Sequence, residues 1–112
     1  MTRAPLLFLL LSACVVPTED VPDECDEAPS VTWQTFGRGF LTTHCQGCHA
    51  STAPDRRGAP PGLAFDDEAS VAQHRDAILA SVTGDTPTMP PNGGPTQDDR
   101  DRVALWLLCD PP

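Results

Sequence analysis

Cys45 and Cys48 are separated by two residues and followed at once by His49, in the run Cys45-Gln46-Gly47-Cys48-His49. On one helical turn this spacing lets each thiol form a thioether with a haem vinyl group and brings the adjacent imidazole within reach of the iron. The pattern therefore reads as a c-type haem attachment site. Two other chemistries use C-x-x-C. A thioredoxin-like redox pair belongs in a βαβ context, which is not visible here. A zinc site takes four ligands, usually as two spaced pairs, and the chain has no second pair.

A second candidate ligand is Met89, the one conspicuous apolar side chain of Thr83 to Pro95 (TGDTPTMPPNGGP). Pro90 biases Met89 toward an extended backbone and the Pro90-Pro91 pair stiffens the loop. A thioether on a stiff loop is suited to present a soft ligand to iron. The alternative is a hydrophobic plug. His74 lies between Gln73 and Arg75, and its polar neighbours mark it as a surface histidine rather than a ligand.

The segments that must position these residues belong to a chain of 112 residues, one domain's worth. Four Phe, two Trp and no Tyr make a thin core, so a large apolar cofactor would supply much of its centre. Thirteen prolines and eight glycines imply short helices and long structured loops. The formal net charge is −9, without any lysine, which argues against nucleic acid as a partner. A basic or mixed protein surface suits this charge better.

Met1 to Cys14 reads as a targeting segment, with Arg3 as its positive region and Leu6 to Leu11 as a short apolar stretch. It is too short to span a bilayer. Leu11-Ser12-Ala13-Cys14 resembles a bacterial lipobox, so residues 1–13 are expected to be a lipoprotein signal peptide and Cys14 the lipidated N-terminus. The alternative is an ordinary secretory leader with an incidental cysteine. Residues 14–29, acidic and proline-punctuated, read as a tether. Acyl chains on Cys14 would hold the domain at a membrane without a spanning helix.

Residues 30–112 are expected to form the folded domain. Ser30 is an N-cap candidate for a helix over about Val31 to His44, with Trp33, Phe36, Phe40 and Leu41 on one face. Gly37 sits inside that stripe, at a helix-propensity cost of roughly 1 kcal/mol, so a close backbone approach is the expected compensation. Ala50 to Gly62 is a loop in which Arg56 and Arg57 read as solvated rather than as partners of a haem propionate or a redox protein. Leu63 and Phe65 are expected to fold back against the haem edge. Asp66 or Asp67 caps a second helix, about Glu68 to Val82, with Val71, Ile78, Leu79 and Val82 inward. Thr96, with Asp99 three residues on, starts a final helix over about Gln97 to Cys109. Its inward stripe is Val103, Trp106 and Leu107.

Taken together, Val31 to Cys109 resembles a small single-haem class I cytochrome c domain: an all-α fold of three or more short helices and long loops wrapped around one covalent haem. The resemblance rests on Gly37 eight residues before Cys45, the C-x-x-C-H run, Met89-Pro90-Pro91 forty residues beyond His49, and Trp106 in a terminal helix. It implies thioether links at Cys45 and Cys48, His49 as proximal and Met89 as distal iron ligand, and packing of the first and last helices near Gly37 and Trp106. The chain departs from the family in having no lysine-rich docking face.

With Cys14 lipidated and Cys45 and Cys48 on haem, Cys25 and Cys109 remain as a matched pair. In a periplasmic setting they are expected to form a disulfide, unless they are two unrelated thiols.

The function these expectations compose is electron transfer by one covalently bound haem c with His/Met ligation, not enzymatic catalysis. The site would be lipid-anchored in a bacterial cell envelope, facing the periplasm or the cell exterior, with a redox protein as partner. Two rivals stand beside it: a haem enzyme or sensor with an open distal position, and the electron-entry subunit of a larger membrane oxidoreductase complex.

Overall fold

A computed structural model describes residues 25–110. The leader, the lipidation candidate Cys14 and most of the tether lie outside the described residues. Within them the chain is all-α, with no strand. Among the described residues no helix is long and apolar enough to cross a membrane.

The first helical segment begins two residues later than Ser30 allows, because Thr32 supplies the better cap. Its hydroxyl accepts from the Thr35 N–H and the Thr35 hydroxyl accepts from the Thr32 N–H, a reciprocal capping box. Trp33–Gly37 is then a π-helical turn, in which the Gly37 N–H reaches the Thr32 carbonyl at 3.0 Å. It runs directly into α1, Arg38–His44. The apolar stripe survives this wider turn in part: Phe40 and Leu41 are buried, while Trp33 and Phe36 are half-buried against the core. Cys45 breaks the helix, and Gln46–His49 is a separate short turn, α2.

The second expected helix is two. Asp67 caps α3, Glu68–Gln73, by accepting the Ser70 N–H at 2.8 Å, and this hydrogen bond, with a second contribution from the Ser70 hydroxyl, holds its carboxyl below the usual range. His74, at φ −115° and ψ 14°, interrupts the helical run before α4, Arg75–Val82. The break seats the imidazole on Phe65, ring centroids 5.6 Å apart, so His74 is half-buried instead of a surface residue.

The last helix, α5, is Gln97–Cys109, as its sequence indicates. Thr96 caps it, accepting from the Asp99 N–H, and Asp98 and Asp99 in its first turn suit the positive end of the helix dipole. Arg100, Val103, Trp106 and Leu107 are its buried residues.

The core joins Phe40, Leu41, Phe65, Val71, Ile78, Val82, Val103, Trp106 and Leu107. Gly37 packs closely against Trp106. A Cβ on Gly37 would lie 2.5 Å from a Trp106 ring carbon, closer than any real Cβ contact. Glycine is required there by space, which accounts for its place in an apolar helical stripe. Trp33 adds a tilted aromatic contact to the same indole at 6.1 Å. The Trp106 side chain therefore serves the junction of the first and last helices. A disulfide between Cys25 and Cys109, Cα atoms 5.3 Å apart, ties the segment before the first helix to the end of α5.

Candidate functional site

A cavity of about 640 Å³ opens between α2, α4 and the loops 50–67 and 83–96. Cys45, Cys48, His49 and Met89 all line it. Leu63, Phe65, Ile78, Val82, Pro90 and Pro91 give it apolar walls, and its volume falls in the range of roughly 300–1,000 Å³ usual for ligand and cofactor pockets. These four residues come from a turn and a loop forty positions apart, so their meeting is a result of the fold.

The cysteine run is stitched to the Leu63–Asp66 segment. The Phe65 N–H donates to the His49 carbonyl at 2.7 Å, and the Gln46 side-chain amide donates to the Phe65 carbonyl at 2.9 Å. Just beyond, the Ser51 N–H donates to the Asp66 carboxylate at 2.8 Å. Phe65, held this way, stacks on the His49 ring with centroids 4.8 Å apart and planes 19° apart.

The fourth tie fixes the chemistry of His49. Its Nδ1 lies 2.8 Å from the Leu63 carbonyl oxygen. A carbonyl oxygen can only accept, so Nδ1 carries a proton, and in the neutral ring the lone pair is then on Nε2. This is the arrangement of a metal-binding imidazole whose second nitrogen is oriented by a backbone acceptor.

Arg56 closes the same region. Its guanidinium donates to the carbonyls of Ala50 at 2.6 Å, Ala59 at 3.2 Å, Pro60 at 2.8 Å and Leu63 at 3.3 Å. The half-buried side chain is thus a template for the 50–63 loop, correcting the reading of it as solvated. Arg57 is the exposed neighbour. It has a left-handed backbone at φ 50°, with its N–H held by the Asp55 carboxylate at 2.9 Å. Neither the role of Gln46 nor that of Arg56 has a sequence signal, because both act on main-chain carbonyls brought near by loop closure.

Cys45 and Cys48 are free thiols, both half-buried. Burial, with a smaller contribution from Cys48, pushes the Cys45 thiol up to about 12. A redox C-x-x-C needs the opposite, a thiol acidified so that its thiolate can attack. Among the described residues no three His, Cys, Asp or Glu side chains converge as a metal-only site.

Met89 is 37% exposed and stands outside the core cluster. A hydrophobic plug would be packed on neighbours; this thioether instead faces a cavity that His49 also lines. His44 lines that cavity as well, beside Phe40 at 5.0 Å, whereas His74 does not. The donor set, two protonatable thiols, an imidazole with a free Nε2 and a thioether around an apolar cavity, fits a covalently held haem. In comparisons with protein-family models, curated proteins and solved structures, nothing matches the chain.

Proposed function

We propose that the chain is an electron-transfer protein that carries one haem c, in a cytochrome c-like fold whose first and last helices meet at Gly37 and Trp106. The observation that carries this reading is the convergence of Cys45, Cys48, His49 and Met89 on one apolar cavity of about 640 Å³.

Cys45 and Cys48 would hold the porphyrin through thioethers, each by addition of its S–H across a vinyl double bond, sulfur to one carbon and hydrogen to the other, so that attachment would consume no oxidant. His49 would offer Nε2 to the iron, its ring oriented by the Leu63 carbonyl at Nδ1. Met89 offers a soft sulfur, which favours the ferrous state and raises the potential. A haem held there would supply a one-electron cycle between ferrous and ferric iron. Leu63, Phe65, Ile78 and Val82 exclude water around it and disfavour the added charge of the ferric form.

The lipobox-like Leu11 to Cys14 supports a placement in a bacterial cell envelope, anchored by lipid, with a redox protein or a membrane oxidoreductase complex as partner.

The test is production of the full chain in a periplasm equipped for haem attachment. Haem absorbance that stays with the denatured polypeptide, and is lost in the Cys45→Ser, Cys48→Ser double variant, is the expected result. A chain exported and folded in that setting but holding two alkylatable thiols and no haem would overturn the reading.

A further inference from the structure

Arg100 is a charged side chain in the core, 7% exposed, at a position that α5 turns inward. Among the described residues the one ion pair is Arg75 with Asp76, so no carboxylate offsets this guanidinium. A buried cation without an anion is costly and calls for specific acceptors. Arg100 has two, both served by Nη1: the Val82 carbonyl at 2.7 Å and the Met89 carbonyl at 2.9 Å. Val82 is the last residue of α4, where unpaired carbonyls and the negative end of the helix dipole favour a cation.

Met89 is held on its other side too. Its N–H donates to the Ser81 carbonyl at 3.0 Å, next to the Thr88 N–H on the same oxygen at 2.9 Å. The peptide groups flanking the Met89 Cα are therefore tied to α4 and, through Arg100, to α5. Only side-chain torsions remain free to move the sulfur.

We propose that Arg100 is the positioning residue of the distal ligand: it locks the Met89 carbonyl against the end of α4 and so keeps the thioether from yielding its place to an outside ligand. The inference rests on the His49/Met89 reading and adds a residue that the reading does not require.

The test titrates the oxidised holoprotein with imidazole, followed by the haem absorption spectrum, in the wild type and four variants. Met89→Ala sets the value for an undefended iron, and Val103→Ala controls for a loss of core packing on the same helix. Arg100→Met removes both hydrogen bonds at similar volume, and Arg100→Lys keeps the charge and donors. Arg100→Met is expected to bind imidazole about tenfold tighter or more, Arg100→Lys to lie between it and wild type, and Val103→Ala to bind like wild type. Should Arg100→Met fail to fold, Arg100→Gln replaces it with the same expected direction. An Arg100→Met protein, or the Arg100→Gln protein in its place, with the affinity of wild type or no tighter than Val103→Ala overturns the role of Arg100. A Met89→Ala protein indistinguishable from wild type would instead remove Met89 as a ligand, a failure of the underlying reading.

Discussion

His49 and Arg56 share one acceptor: the Leu63 carbonyl oxygen lies 2.8 Å from Nδ1 of His49 and 3.3 Å from a guanidinium nitrogen of Arg56. The carbonyl polarises the imidazole toward a stronger donor at Nε2, and Arg56 draws on the same lone-pair density. Each axial candidate is thus backed by an arginine acting through a carbonyl, Arg56 behind His49 and Arg100 behind Met89.

Replacing Arg56 by Met releases the Leu63 carbonyl to His49 alone and removes a nearby positive charge. Both changes favour the ferric state, so the reduction potential of the holoprotein is expected to fall. Because the same guanidinium also organises the 50–63 loop, the melting temperature is expected to fall with it. An unchanged potential, measured by spectroelectrochemistry, would show that the shared acceptor has no electronic consequence.

Gly37→Ala places a methyl group 2.5 Å from a ring carbon of the fully buried Trp106. Overpacking of this kind costs about 1–3 kcal/mol or more, against the roughly 1 kcal/mol that alanine gains in helix propensity. Net destabilisation in urea is expected. Adding Trp106→Leu to Gly37→Ala is expected to relieve it, giving a double-mutant coupling of about 1 kcal/mol or more. Additive losses would mean that the two residues are not in contact.

The disulfide closes a sequence separation of 84 residues. Chain-entropy reasoning gives up to about 4.6 kcal/mol for a loop of this length, less any order that haem attachment would impose. The Cys25→Ser, Cys109→Ser double variant is therefore expected to lose stability in denaturant while its visible spectrum stays unchanged. A loss of the spectrum as well would place the bridge in the service of the haem pocket.

In the haem-free chain the Cys45 thiol, raised from 9.0 to about 12, is protonated in the fold over a range in which the unfolded chain ionises. Its folded form therefore binds more protons between those values, and stability falls as pH rises through that window. The contribution is fully present below pH 9 and lost toward pH 12. Alkylation of Cys45 in the folded apoprotein is expected to stay slow at pH 8, read by peptide mass mapping. Rapid modification there would contradict the buried setting.

The helices and the cavity lining of this chain were legible for different reasons. Apolar periodicity and Thr96 marked α5, and the C-x-x-C-H run with Met89 marked four residues that line one cavity, because each is a local pattern. The Thr32 cap outcompeted Ser30 through a reciprocal partner at Thr35 that a single-residue rule passes over. The break at His74 follows from its packing on Phe65, a contact across the fold that periodicity does not encode. Arg56 and Arg100 escaped for the same reason: their acceptors are carbonyls, and every residue in the sequence has one.

The central claim is the His49/Met89 axial pair, and the near-infrared charge-transfer band of the oxidised holoprotein reports iron bound to methionine sulfur. The band is expected in the wild type and is expected to vanish in Met89→Ala, with a lower reduction potential. A Met89→Ala protein that kept both the band and the potential would contradict the account.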